Sequence, residues 1–140
     1  MASIDAKAIV NALTVDVEDY FQVSALAPFF PREHWPDIEC RVERNVENIL
    51  QMLFDAKATA TFFTLGWIAE RYPHLIRQIA SQGHEVASHG CDHRRVTEFD
   101  SRQFSADLGD SKRLLEDITG RAVQGYRAPS FSIGLQNQWA

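Results

Sequence analysis

Apolar residues along the chain fall into short runs separated by helically spaced faces, and that alternation predicts strands and helices in turn. Ile9 to Val15 (IVNALTV) is an apolar, β-branched run that stops at Asp16, the pattern of a buried strand delivering a carboxylate at its C-terminal end. From Val42 onward, Val46, Ile49, Leu50 and Leu53 keep helical spacing while Arg41, Glu43, Arg44 and Glu47 take the other side, which predicts a surface helix. Ala58 to Leu65 (ATATFFTL), rich in Thr and Phe and closed by Gly66, predicts a second strand. Trp67, Ile68, Leu75, Ile76 and Ile79 mark the next helical face, broken near Pro73 and stopped by Gly83 in a left-handed cap. His84 to Ser88 (HEVAS) fits a third strand, and Val123 to Tyr126 a fourth. Between them Asp100 and Gln103 offer a capping box for a helix that carries Phe104, Leu108, Leu115 and Ile118 and ends at Gly120. Strands alternating with helices predict a parallel α/β architecture in one unit, with no internal repeat or linker.

Residues 17–40 break the alternation. They hold Pro28, Pro31 and Pro36 among Tyr20, Phe21, Phe29, Phe30 and Trp35, with no sustained period, which predicts a long aromatic loop. Rings such as Tyr20, Phe21 or Trp35 are expected either to overhang the strand ends and stack on a ligand or to cover the core.

Composition narrows the class. A chain of 140 residues, 45% hydrophobic and 24% charged, is large enough for one real core and unlike disordered, collagenous or membrane sequences. The net charge of −5, with no basic run, argues against nucleic acid as a partner. Cys40 and Cys91 are too few for a disulfide framework. The first residues lack the basic start and apolar core of a secretory signal, and no apolar stretch approaches the roughly 18 residues of a spanning helix. The expectation is a cytoplasmic protein with no membrane segment.

Candidate chemistry gathers at the ends of the predicted strands: Asp16, Glu18 and Asp19 after the first, His89 and His93 after the third, Arg127 after the fourth. In parallel α/β folds that rim is where sites form. His89-Gly-Cys-Asp-His93 would place both imidazoles on one face of a helical turn, within reach of one cation. A carboxylate from another strand would complete a facial set with positions open for water and substrate, as in hydrolytic zinc sites. The same residues have plainer readings: two solvated histidines, acids in the first turn of a helix, a surface arginine. Cys91 reads as a small packed thiol, His84 as a core histidine, and His34 and His74 as loop or surface residues.

Three segments taken together, TVDVEDY at 14–20, SHGCDH at 88–93 and YRAPSF at 126–131, resemble in order and spacing the first three motifs of the polysaccharide deacetylase family, also called the NodB-homology or carbohydrate esterase family 4 group. DVEDYFQ with EVASHGCDH is most similar to the subfamily of bacterial exopolysaccharide and PEP-CTERM loci. The resemblance runs from residue 9 to about 131. It implies a distorted (β/α)7-type barrel and metal-dependent hydrolysis of the N-acetyl amide of an N-acetylhexosamine-containing polysaccharide. Asp16 matches the family's catalytic base, Arg127 the arginine that holds the base, and His89 and His93 two metal ligands. The third ligand is an acid just after the base. Where many members have adjacent aspartates this sequence inserts Val17, leaving Glu18 or Asp19. Glu18 is favoured because an Asp-x-acid spacing aims both side chains to one side of an extended strand end. Zinc suits such a donor set, and cobalt, nickel or iron would also fit.

The family's barrel has about seven strands, and a histidine from its later segments acts as general acid. With four predicted strands this chain is expected to be the truncated N-terminal portion of such a barrel, residues 1–140 forming one incomplete domain. No residue matches the general acid. Other readings are an allantoinase-like cyclic amide hydrolase and a catalytically inactive polysaccharide-binding fragment.

Overall fold

The computed structural model describes residues 11–140, and its core is a three-stranded parallel sheet in the order β1 (Thr14–Val17), β2 (Thr61–Thr64), β3 (Glu85–Ser88). Asp16 pairs in register with Phe63, and Thr64 with Ser88. The protein is therefore α/β with a parallel sheet. Helix α1 (Val42–Ala56) connects β1 to β2. Two short helices, α2 (Gly66–Arg71) and α3 (Pro73–Ser81), connect β2 to β3, and α4 (Ser101–Thr119) follows β3 and packs on α2, α3 and β3. None of the helices described is long and apolar enough to cross a membrane.

Each helix begins and ends for local reasons. Asp100 and Gln103 close the expected capping box on α4, and Gly120 stops that helix at φ 66°. Pro73 opens α3 at a position where its missing N–H costs nothing. The spaced apolar residues Val46, Leu50 and Leu53 of α1 join Val17, Phe62, Ile68, Leu75, Ile76, Ile79 and Leu115 in one buried cluster. Burial of that apolar surface is the main driving force for the fold.

Four expectations need correction. The first strand runs over Thr14–Val17, so Asp16 lies inside it rather than after it, and Ile9 and Val10 lie outside the described residues. The second is confined to Thr61–Thr64. The proposed fourth strand reduces to one parallel bridge between Ser88 and Tyr126, because the backbone of Val123 is bonded to α4 side chains instead. Its N–H donates to Glu116 at 2.9 Å, and its carbonyl accepts from Lys112 at 2.7 Å. The aromatic loop contains three short 3-10 turns, Tyr20–Gln22, Ser24–Leu26 and Arg32–Asp37. Phe21 and Trp35 are buried there, edge to face with each other and with Trp67. Those two rings are core, not a platform for a ligand.

Candidate metal and catalytic site

Side chains two apart on a strand share a face. Val17 points into the core, while Thr14 and Asp16 lie on the opposite face beside Phe63, with Glu18 following at the strand end. Arg127 lies across this face with its guanidinium carbon 4.1 Å from the centre of the Phe63 ring. One amino group donates to Asp16 Oδ1 at 2.5 Å and the other to Thr14 Oγ1 at 2.8 Å. This fork fixes the Asp16 carboxylate in direction as well as charge.

His89 and His93 are not on a helical turn. They flank a loop in which Gly90 (φ 79°) and His93 (φ 57°) adopt left-handed backbone. The loop is tied down at several points. Its carbonyls at Gly90 and Cys91 accept the first two N–H groups of α2, from Gly66 at 2.9 Å and Trp67 at 2.8 Å. A Cβ at Gly66 would sit 3.2 Å from the Cα of Cys91, so glycine allows this close approach. Asp107 of α4 accepts the N–H of Cys91 at 3.3 Å, and the Cys91 thiol donates to the Asp107 carbonyl. Burial, reinforced by Asp107, pushes that thiol up to about 12, consistent with a packed, unreactive cysteine.

The two imidazoles converge on Glu18. Its Oε2 lies 2.9 Å from His93 Nε2 and 3.8 Å from His89 Nε2, and the three potential ligand atoms all fall within 4.8 Å of one another. His89 Nδ1 donates to the backbone carbonyl of Arg127 at 2.8 Å, which leaves Nε2 with its lone pair toward Glu18. Burial holds His89 below the ordinary imidazole range, in the neutral form a ligand needs. Glu18 Oε2 is buried with no hydrogen-bond partner among the described residues. A buried, unpartnered carboxylate oxygen beside two imidazoles is costly unless a cation lies between them, so this donor set fits one divalent ion.

Asp19 is placed elsewhere. Buried at the start of the aromatic segment, it accepts from Tyr20 N at 2.8 Å and from the N–H groups of Arg41 and Val42 at 2.5 and 2.9 Å, closing the N-terminus of α1. The plainer reading of the acidic run thus holds for Asp19 and not for Glu18. Of the other histidines, His84 is buried and accepts from Ala60 N at 3.3 Å, and His74 pairs with Glu43 at 2.6 Å.

Asp16, Glu18, His89, His93 and Arg127 line a single open cavity of about 380 Å³. Sequence reasoning missed Thr14, although its spacing two before Asp16 was the available signal. It also missed Asp107, which ties down the histidine loop and for which the sequence carries no signal.

A family model described as polysaccharide deacetylase matches residues 34–136, most of the chain. The chain belongs to the polysaccharide deacetylase family. That match includes His89, His93 and Arg127 but starts after Asp16 and Glu18, which join the site through the geometry of β1. A peptidoglycan-N-acetylglucosamine deacetylase of Bacillus cereus is 30% identical over 107 residues, 75% of this chain and 37% of the relative. A solved Mycobacterium smegmatis structure of the polysaccharide deacetylase class superimposes with a TM-score of 0.73 at 29% identity, over 89% of this chain and 44% of that one. A CE4-family pseudoenzyme from Bacillus anthracis shares the fold, with a TM-score of 0.67 at 21% identity, over 89% and 37%. The chain thus spans 37 to 44% of the length of these proteins. Because the same fold also serves an inactive relative, activity has to be argued from the site.

Proposed function

We propose that the protein hydrolyses the N-acetyl amide of an N-acetylhexosamine-containing polysaccharide with the help of one divalent metal ion, and that residues 1–140 carry the base and metal-ligand part of that catalytic domain. The observation that carries this reading is the convergence of Glu18, His89 and His93 in the same open cavity as the Asp16–Arg127 pair. Glu18, His89 and His93 would hold the ion, and two imidazoles with one carboxylate suit zinc. A bound ion supplies Lewis acidity to the acetyl carbonyl and to the attacking water.

The chain's own residues supply orientation and proton transfer. Asp16 accepts one proton of the water as the water oxygen attacks the carbonyl carbon; as the C–N bond breaks the nitrogen takes up a proton, returned from Asp16 or drawn from solvent, and acetate and a free amine leave. Arg127 keeps Asp16 aimed into the cavity and takes up no proton itself. The His89–Arg127 carbonyl bond joins ligand and base-holder in one framework, so both move together. The likeness of DVEDYFQ and EVASHGCDH to the exopolysaccharide-locus subfamily supports an exopolysaccharide as the polymer.

Acetate release from N-acetylglucosamine oligomers, followed with and without chelator, tests this. Turnover should vanish with chelator, return with zinc, and fall by about two or more orders of magnitude in Asp16→Asn. Turnover unchanged by chelator, or unchanged in Asp16→Asn, contradicts the proposal. Opening of a cyclic amide without acetate release would favour the allantoinase-like chemistry instead.

A further inference from the structure

The loop that carries both histidines is gripped from α4. Between His89 and His93 the carbonyls of Gly90, Cys91 and Asp92 accept from Gly66 N, Trp67 N and Arg32 Nε at 2.9, 2.8 and 3.1 Å. The N–H groups of Gly90 and Cys91 turn instead to polar side chains, and both lead to the same helix. Cys91 N donates to the Asp107 carboxylate at 3.3 Å, and Gly90 N donates to Ser88 Oγ at 3.1 Å. Ser88 Oγ lies 2.7 Å from Ser111 Oγ, which donates to the Leu108 carbonyl at 3.1 Å. With the Ser111 hydrogen spent on that carbonyl, Ser88 donates to Ser111, so a buried one-way chain runs from the Gly90 N–H through two hydroxyls into α4. Asp107 and Ser111 stand four positions apart, on one face of the helix.

What they hold is a backbone that would not keep this shape alone. Gly90 has φ 79°, and His93, which has a side chain, has φ 57°. Left-handed backbone at His93 costs free energy and persists only where the surroundings impose it. A Cβ at Gly90 would meet Asp107 Oδ2 at 3.0 Å, so the carboxylate packs directly on the turn as well as bonding the next residue. Neither Asp107 nor Ser111 lines the cavity or offers an atom to the ligand group.

We propose that Asp107 and Ser111 are positioning residues for the metal ion: by holding Gly90 and Cys91 they keep the His89 and His93 imidazoles turned toward Glu18 before an ion arrives, and so set how tightly it is held. The proposal rests on the metal-binding reading of the cavity. Groups that orient a ligand from behind typically carry roughly ten- to hundredfold of the affinity for the metal.

Zinc affinity of the folded chain, measured by competition with a chromophoric chelator, tests this, with the visible spectrum of the cobalt-loaded protein as a second readout. Asp107→Ala and, separately, the near-isosteric Ser111→Ala should each weaken zinc binding by about tenfold or more and shift the cobalt bands. Asp107→Asn, which keeps an acceptor for Cys91 N, should bind zinc within about threefold of the unaltered protein. Ile118→Ala, on the same helix but packed against the core cluster, should lower thermal stability while leaving zinc affinity and the cobalt spectrum unchanged. Zinc affinity within about twofold of the unaltered protein in either alanine variant, or an equal loss in Ile118→Ala, overturns the proposal. Should Asp107→Ala not fold, Ser111→Ala decides the matter. If zinc affinities follow the expected order but acetate is not released from N-acetylglucosamine oligomers, the positioning role stands and the deacetylase reading fails. Absence of zinc binding by the unaltered protein overturns both.

Discussion

The guanidinium of Arg127 makes two directed hydrogen bonds, to Asp16 and Thr14, while its own backbone carbonyl fixes the ring of His89. A lysine keeps the charge but cannot span both acceptors. Arg127→Lys is therefore expected to lower kcat by about tenfold or more while leaving zinc stoichiometry unchanged, since the carbonyl that orients His89 belongs to the backbone. Loss of metal in this variant, measured by elemental analysis, would show that the side chain supports the ligands as well. At this scale much was legible. An acid two positions after another on an extended strand points the same way, which selects Glu18 over Asp19 for the cavity. What was not legible is how His89 and His93 meet. Four-residue spacing suggests a helix, but Gly90 permits a left-handed turn, and the loop it forms is fixed by Gly66, Trp67 and Asp107, all distant in sequence.

The start of α1 depends on one distant carboxylate. Arg41 offers no side-chain cap, and Asp19 supplies it from 22 residues away, binding the N–H groups of Arg41 and Val42 while also capping its own 3-10 turn. Asp19→Ala should cost about 2 kcal/mol of stability, more than an isolated helix cap, because three N–H groups, one buried and two partly buried, lose a charged partner. Urea denaturation measures this, and a loss below about 0.5 kcal/mol would mean that water replaces the carboxylate readily. Helices were the legible elements because capping boxes, glycine stops and 3.6-residue spacing are local, as in α4. Strand ends were less so. Residues 123–126 have strand-like composition, yet Lys112 and Glu116 claim the backbone of Val123, a contact that only the folded position of α4 creates. Whether Trp35 serves a ligand or the core was not legible for the same reason: nothing in its neighbours announces Phe21 and Trp67 as its packing partners.

Across the whole molecule, burial couples stability to pH. His84 is held below its ordinary value of 6.5 by burial, and its Nδ1 accepts a backbone N–H only when neutral. The unfolded chain therefore binds a proton that the folded chain refuses, and stability falls as pH drops through about 6.5. Thermal unfolding should show Tm falling between about pH 7.5 and 5.5. In His84→Gln the slope should be shallower but not flat, because His89 is also kept neutral by burial. An unchanged slope would remove His84 from this account. The parallel sheet and its α/β class were legible from alternating strands and helices alone. The described residues contribute three paired strands and one further bridge, and the chain covers 37% of the Bacillus cereus relative and 44% of the Mycobacterium smegmatis structure.

Zinc binding by calorimetry on three proteins decides whether Glu18, His89 and His93 together hold a divalent ion beside Asp16. The unaltered protein should bind about one equivalent. Glu18→Gln should weaken binding by about two orders of magnitude, because a charged ligand is replaced by a neutral one, while Asp19→Asn should bind as the unaltered protein does. Zinc affinity that is unchanged in Glu18→Gln, or that falls only in Asp19→Asn, would contradict the account.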